Sequence, residues 1–591
     1  MNIIETISDS LSLQKKQVEA AVQLLDEGNT VPFIARYRKE ATRGLNDEEL
    51  RKLEEKLHYL RNLEERRESI LNSIEEQGKL TEELRRQIEA ADTAVRLEDL
   101  YLPYKKKRRT RGMIAREKGL EGLAKAILTA GKNILSEAEH YLSEEKEVNS
   151  IEEALQYAKD ILAEDFSEDA ALREWIRNKT IKEGRISSAL KEKDENPENK
   201  TYEMYFSYEE SLKTIPGYRV LAINRGEKEK ILTVKLLFPE EEILHYMEER
   251  RGKGLSVEQR KLLLEAIQDS YKRLIAPSIE NEIRAGLTEK AEDGAIAIFA
   301  DNLRQLLMQA PIVGKVVLGW DPGFRTGCKI AVVDPTGKVL DTAVIYPTAP
   351  KNQVKEAMDT IHRLIEKDKV DLIALGNGTA SRESEKIISD YLQRTKSKVQ
   401  YVIVNEAGAS VYSASKLATE EFPDFDTGER SSTSMARRLQ DPLAELVKIE
   451  PKAIGVGQYQ HDMNQNKLEE QLHNTVEDCV NRVGVDLNTA SFALLSYISG
   501  ITKPLSKNIV AYREKNGAFR NRKELLKVAK LGPKAFEQSA GFLRIRNGKE
   551  FLDGTSVHPE SYDKAKELLQ LLGLSEKDIA EGRGSEIPAK I

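Results

Sequence analysis

Apolar residues along the first half of the chain recur with the period of helices. Leu50, Leu53, Leu57, Leu60 and Leu63, followed by Ile70 and Ile74, stand three, four or seven residues apart in a highly charged background. That spacing predicts a long amphipathic helix. Gly78 ends the pattern, and Thr81-Glu82-Glu83-Leu84 has the make-up of a fresh helix start. Helical patterning persists with few breaks to about residue 310. One interruption is expected near 218–238, where Arg219-Val220-Leu221-Ala222-Ile223 and Ile231-Leu232-Thr233-Val234-Lys235-Leu236-Leu237 flank Asn224-Arg225-Gly226-Glu227. The two runs read as a small β-hairpin inserted among helices.

The period changes at Gly314. Val316-Val317-Leu318-Gly319-Trp320 ends in Asp321-Pro322-Gly323, Lys329-Ile330-Ala331-Val332-Val333 ends in Asp334-Pro335-Thr336-Gly337, and a third run covers 339–346. Three short runs joined by Pro/Gly turns are antiparallel neighbours. Helical stretches near 351–367 and 381–395 then alternate with strands at 371–375 and 399–404, and helices continue to about 448. The order βββαβαβα, with an acid closing the first strand, predicts an RNase H-like domain over 314–450.

From 451 to 560 the chain is helical again and holds two hairpins. In the first, 492–498 meets Ser499-Gly500-Ile501-Thr502 and continues to Arg513; in the second, 525–528 meets Lys530-Leu531-Gly532-Pro533 and continues to Phe542. Both resemble the helix-hairpin-helix motif, whose tight glycine turn aims backbone N–H groups at a phosphate. Each keeps one of the motif's two usual glycines. A C-terminal helix and polar tail follow over 561–591, so the whole reads as a multidomain, mainly α protein with one α/β domain.

Charge sharpens this picture. The chain holds 92 Lys+Arg and 99 Asp+Glu, a net charge of −7, which excludes a globally basic, histone-like binder. Residues 499–550 nevertheless contain 13 basic and 4 acidic residues, a net +9, so the remainder carries −16. A second basic tract, Lys105-Lys106-Lys107-Arg108-Arg109 with Arg111, Arg116 and Lys118, precedes an acidic stretch over 136–170 with 12 acids and 2 bases. Such segregation is expected of a protein that meets a polyanion on chosen surfaces. The nucleic-acid contacts expected on this basis are Gly500, Thr502, Lys503, Lys507, Arg513, Arg520, Arg522, Lys530, Gly532 and Lys534.

Other chemistries lack their anchors. No run approaches 18 apolar residues, residues 1–10 have no basic n-region, and Cys328 and Cys479 are too few for a disulfide framework. A cytoplasmic protein without a membrane span is expected. The seven His have no zinc spacing, and neither a Gly-x-x-x-x-Gly-Lys-Ser/Thr loop nor a Gly-x-Ser-x-Gly elbow occurs. No metal and no cofactor is expected. Nucleases of the RNase H-like fold converge carboxylates on Mg²⁺; the candidates are Asp321, Glu406 and Asp441. Gly376-Asn377-Gly378-Thr379 carries an amide where an acid would follow the central strand, a weaker ligand for a hard cation.

Seven blocks of sequence resemble the bacterial Tex family of transcription accessory proteins. They are Thr30-Val31-Pro32-Phe33-Ile34-Ala35-Arg36-Tyr37-Arg38-Lys39-Glu40, Leu97-Glu98-Asp99-Leu100-Tyr101-Leu102-Pro103-Tyr104-Lys105, and the stretches beginning Asp321-Pro322-Gly323-Phe324, Gly376-Asn377-Gly378-Thr379, Asn405-Glu406-Ala407-Gly408, Arg437-Arg438-Leu439-Gln440-Asp441-Pro442 and Ile454-Gly455-Val456-Gly457-Gln458. The resemblance implies helix-turn-helix character within 1–310, a degenerate YqgF-type nuclease domain and tandem helix-hairpin-helix motifs. It also implies a C-terminal OB-fold that binds RNA; no five-stranded barrel follows the polar tail, so RNA binding through it is not expected of this chain. The loop after Arg430, Ser431-Ser432-Thr433-Ser434, departs from the family's usual Gly-Ala-Ile/Val-Ser.

The expected function is a nucleic-acid-binding transcription accessory factor that acts as a non-catalytic scaffold on DNA and/or RNA. Two alternatives stand beside it. One is a Mg-dependent, structure-selective nuclease using Asp321, Glu406 and Asp441; the other is a protein-interaction platform for RNA polymerase or the ribosome.

Overall fold

The computed structural model of the chain describes every residue except 1, 107, 192–196, 547, 581 and 588–591. Contacts divide it into two compact units, Met1–Ser10 with Glu55–Ala295, and Leu11–Glu54 with Ile296–Ile591. The expected N-terminal region 1–310 is therefore shared between them. The predicted long helix forms over Asp47–Glu76, and Leu50, Leu53, Leu57, Leu60, Leu63, Ile70 and Ile74 are all buried along it.

In the first unit the helix Ile151–Glu168 buries Ala154, Ala158, Ile161, Leu162 and Phe166, and packs on Arg111–Glu117 and Val257–Asp269. Four members of the basic tract pair with neighbouring acids: Lys105 with Glu98, Arg109 with Glu117 at 2.6 Å, Arg116 with Glu164 at 3.4 Å and with Asp165, and Lys118 with Glu147 at 3.2 Å. Lys107 lies outside the described residues. Charge that is segregated along the sequence is thus partly interleaved in space.

The hairpin expected near 218–238 does not form. Gly217–Lys228 is a helix, and only Leu232–Leu237 is a strand. It is β3 of a sheet ordered β2-β1-β3, pairing antiparallel with β1 (Arg185–Leu190), which also pairs with β2 (Ser207–Ser211). Val220, Leu221, Ala222 and Ile223 are all buried, and a short, fully buried apolar run has no alternation that separates helix from strand. Gly226 sits inside the helix because Leu232 and Tyr202 occupy the space of a side chain there: a Cβ would lie 2.6 Å from Leu232 Cδ1.

The second unit contains the RNase H-like domain. Strands β4 (Val317–Asp321), β5 (Cys328–Val333), β6 (Val339–Ile345), β7 (Leu372–Gly376) and β8 (Gln400–Val404) form one sheet in the order β6-β5-β4-β7-β8. Pairings among β4, β5 and β6 are antiparallel, and β7 and β8 run parallel to β4. Alternate residues of β4 face opposite ways. Leu318 and Trp320 join Ile361 and Leu364 of the helix Val354–Asp368 and Ile388 and Tyr391 of Ser381–Thr395. Val317 joins Ala374 of β7 and Ala436 of the helix Thr427–Gln440. A Cβ on Gly319 would lie 2.0 Å from Ser432 O and 3.0 Å from Ala436 N, so this glycine lets the helix rest directly on the central strand.

The C-terminal part packs Gln465–Val483 against short helices, joined by a two-residue parallel bridge between β9 (Val485–Asp486) and β10 (Leu543–Arg544). The helix Val31–Tyr37 belongs to the same unit. Phe33 and Tyr37 pack edge-on and tilted against His558 with ring centroids 6.0 and 5.0 Å away, and Tyr37 meets Phe542 edge-on at 5.1 Å.

Gly319→Ala must push the helix Thr427–Gln440 off the sheet. The expected cost is about 3 kcal/mol, read as a lower denaturant midpoint for the second unit; an unchanged midpoint would show that the helix is not seated as described.

Candidate nucleic-acid interface

Both predicted hairpins form. The first runs from Phe492–Leu495 to Lys503–Asn516, the second from the 3₁₀ turn Arg522–Lys527 to Pro533–Ser539. In each, a left-handed residue stands two positions before the helix N-cap. In the first these are Gly500 (φ +76°) and Thr502; in the second, Lys530 (φ +66°) and Gly532. The two missing glycines are thereby accounted for. Thr502 replaces one with a hydroxyl that accepts from Leu505 N, and Lys530 takes the left-handed position at a strain of about 1–2 kcal/mol. Gly500 has no such freedom, because a Cβ would meet Gln538 Cβ at 2.5 Å. The hairpins are tied together by Asn508, whose Nδ2 donates to Ala529 O at 2.9 Å.

The ten expected contact residues separate into two groups. Thr502, Lys503, Lys507, Arg520, Lys530 and Gly532 are exposed. Lys503 and Lys507 are four residues apart and share one helix face, with Lys507 Nζ 5.4 Å from the centre of the Phe492 ring. Asn508 holds this face beside the turn that carries Lys530. Of the remaining four, Gly500, Arg513 and Arg522 are engaged internally, and Lys534 is exposed but bonded to neighbours. Gly500 packs on Gln538. Arg513 Nη1 donates to the carbonyls of Leu487 and Ala490, both at 3.0 Å. Arg522 is 1% exposed and donates to Leu543 O, Thr555 O, Val557 O and the Tyr562 hydroxyl at 2.6–2.8 Å. Lys534 Nζ donates to Asn29 Oδ1 at 2.8 Å and pairs with Glu537 at 3.4 Å. Arg513 and Arg522 are therefore structural cations, contrary to the expectation from their sequence, whereas Lys534 stays exposed despite its bonds. Composition registers a charge but not the carbonyls that surround it.

Sequence reading also missed Asn29 and Thr30. Thr30 N donates to Gln538 Oε1 at 3.0 Å, Gln538 Nε2 donates to Asn29 Oδ1 at 2.9 Å, and the Thr30 and Ser499 hydroxyls are hydrogen-bonded. No local signal marks these partners, which stand roughly 500 positions apart in sequence.

The acids of the RNase H-like domain converge only in part. Asp321 at the end of β4 is partly buried; burial raises its pKa, against the Ser431 hydroxyl and Lys329. Glu406 is raised by burial and then by the charge of Asp321, and the Gly378 N–H donates to it. A Cβ on Gly378 would lie 1.6 Å from Glu406 Oε1, and one on Gly376 2.8 Å from Oε2. The Gly376-Asn377-Gly378 turn thus cradles a carboxylate of the chain itself. Asn377 Oδ1 accepts from Glu406 N at 3.1 Å, and Arg438 Nη1 braces the same loop through the carbonyls of Asn405 at 2.7 Å and Ala407 at 2.9 Å. Burial pushes the Arg438 guanidinium down to about 10.

Asp441 does not join the pair. It caps the next helix by accepting from Ala444 N at 3.0 Å, and it lies ten residues beyond Ser431, ~15 Å along the helix. The helix position facing Asp321 carries the Ser431 hydroxyl. Among the described residues, no three His, Cys, Asp or Glu side chains form a metal-ligand set.

A mixed five-stranded RNase H-like domain joined to tandem helix-hairpin-helix motifs defines the architectural class of this protein. The chain belongs to the Tex family. It matches the Tex-like protein N-terminal domain over 1–75, the Tex central region over 131–299, the Tex protein YqgF-like domain over 315–440, a helix-hairpin-helix motif over 480–544 and a further such domain over 550–587. It is 52% identical to the Bacillus subtilis protein YdcI over 577 residues, covering 97% of this chain and 80% of that one. It is 48% identical to the transcriptional accessory protein Tex of Neisseria gonorrhoeae over 591 residues, covering 99% and 77%. The human S1 RNA-binding domain-containing protein 1 is 35% identical over 635 residues, covering 97% and 64%.

Two outcomes follow from this geometry. Arg522→Gln strands buried carbonyls and should cost about 3 kcal/mol, lowering the melting temperature by roughly 5 °C, whereas Lys503→Gln should leave stability unchanged. The folded-state pKa values of Asp321 and Glu406 lie above ordinary carboxylate values, so between those limits the folded state holds more protons than the unfolded state. Their destabilising effect is greatest at neutral pH and is relieved as pH falls. Asp321→Asn should raise the melting temperature at pH 7 and flatten its dependence between pH 4 and 7; a fall at pH 7 would contradict the assigned environment.

Proposed function

We propose that this chain is a nucleic-acid-binding transcription accessory factor that acts as a non-catalytic scaffold in the cytoplasm. DNA or RNA is gripped by its phosphates on the face carrying Lys503, Lys507, Arg520 and Lys530, with Thr502 and Gly532 at the two helix starts. The observation that carries this reading is the fate of the charges in 499–550. Among the described residues, acids of the segment leave Lys503, Lys507 and Lys530 without an ion pair: Glu537 pairs with Arg38 at 2.9 Å and with Lys534, Glu550 with Lys566 at 2.7 Å, and Glu524 accepts from Arg520 N at 2.9 Å. The name of the gonococcal relative supports the transcriptional role. RNA polymerase and the ribosome are the partners that such a role brings into reach.

The nuclease reading has one observation in its favour, the juxtaposition of Asp321 and Glu406. Asp441 stands apart, Ser431 occupies the third position, and Asn377 is committed to the Glu406 backbone. We therefore assign the pair no cleavage. Incubation with branched and single-stranded DNA and RNA in Mg²⁺ or Mn²⁺ should give no cleavage; cleavage abolished by Asp321→Asn would establish the alternative.

Replacing Lys503, Lys507 and Lys530 together with Glu should weaken binding about a hundredfold or more at low salt. The slope of log affinity against log salt should become shallower by ~3. Unchanged affinity and slope would place the interface elsewhere.

A further inference from the structure

The block from Thr30 to Glu40 carries much of the family resemblance, yet none of it touches the exposed lysine face. Its structural role is specific. Asn29 and Thr30 are wedged between the two hairpins, and a continuous chain of hydrogen bonds passes through them. Asn481 Oδ1 accepts from Ser499 N at 2.9 Å, at the turn of the first hairpin. The Ser499 hydroxyl bonds the Thr30 hydroxyl, Thr30 N donates to Gln538 Oε1 at 3.0 Å, and Gln538 Nε2 donates to Asn29 Oδ1 at 2.9 Å. Lys534 Nζ, on the helix of the second hairpin, donates to the same Asn29 Oδ1 at 2.8 Å. Ser499, Gln538 and Asn481 are 0–2% exposed and Asn29 is 7% exposed, so water competes little for the bonds among them.

The segment is itself anchored at its far end. Arg36 Nη1 donates to the carbonyls of Asn481 and Arg482 at 3.3 Å, Tyr37 OH donates to Ser556 O at 3.1 Å, and Arg38 bonds Glu537 and Glu560 at 2.9 and 2.6 Å. A pair of residues held this way fixes one hairpin turn relative to the other hairpin's helix. Gly500 lies in the same turn with a Cβ position already 2.5 Å from Gln538 Cβ, so little play is left between the hairpins.

We propose that Asn29 and Thr30 are positioning residues for nucleic-acid binding: they set the separation of the two hairpins, so that one strand engages both at once. The inference rests on the hairpins being the nucleic-acid contact. Two contacts made by one molecule bind more tightly than either alone only if their spacing is kept. Loss of the wedge should therefore penalise long ligands that reach both hairpins and spare short ligands that reach one.

The test uses the full chain and fluorescence anisotropy with labelled single strands of DNA and RNA, 24 and 6 nucleotides long. Thr30→Val keeps the shape of the side chain and removes the hydroxyl. It should weaken binding of the 24-mer about tenfold, leave the 6-mer unchanged, and leave the salt slope of the 6-mer unchanged. Thr30→Ser, which restores the hydroxyl, should bind as the parent does. Should Thr30→Val fail to fold, Asn29→Ala leaves the Thr30 bonds in place and carries the same expectation. Equal binding of both lengths by variant and parent would overturn the proposal, as would an equal loss for both lengths. Failure of the parent chain to bind either length is a different result: it would remove the nucleic-acid reading itself.

Discussion

The guanidinium of Arg522 is the constraint around which the C-terminal part of this protein is arranged. A cation 1% exposed must find acceptors for its donors, and here they come from Leu543 in β10, from the Thr555 and Val557 carbonyls, and from Tyr562 at the start of the C-terminal helix. Asp553 completes the arrangement by accepting from the Arg522 backbone N–H at 3.0 Å and from the Tyr562 hydroxyl at 2.5 Å. The second hairpin begins at Arg522. Its position thus follows from satisfying one buried charge.

The same economy sorts the basic residues of 499–550. Arg513 also finds its acceptors inside the fold, whereas most other cations of this segment with a net charge of +9 stay at the surface. Lys503, Lys507, Arg520 and Lys530 remain exposed. The RNase H-like domain shows the opposite arrangement. Asp321 and Glu406 are brought together with Ser431 at the third position; burial raises both pKa values, and the charge of Asp321 raises that of Glu406 further.

Much of the architecture is legible in the sequence because it is local. The apolar stripe of Asp47–Glu76, the βββαβαβα order and the two glycine turns each depend on a period or a turn residue within a few positions. The failures are equally instructive. Val220 to Ile223 reads as a strand because a fully buried turn of helix has no polar face to show. Arg522 reads as a nucleic-acid contact because its acceptors lie 21–40 residues away, and Arg116 and Lys118 read as free because their partners are Glu147, Glu164 and Asp165. Asn29 and Thr30 are silent for the same reason on a larger scale, with partners at 499, 534 and 538. Local patterns carry backbone course; long-range partners decide which charges stay free.

The measurement that tests the central claim most directly is photochemical cross-linking of labelled DNA and RNA to the intact chain, with the modified residues located by mass spectrometry. Cross-links should fall on the face bearing Lys503, Lys507, Arg520 and Lys530. Cross-links concentrated on residues 105–118 of the first unit, or around Asp321 and Glu406, would contradict the account.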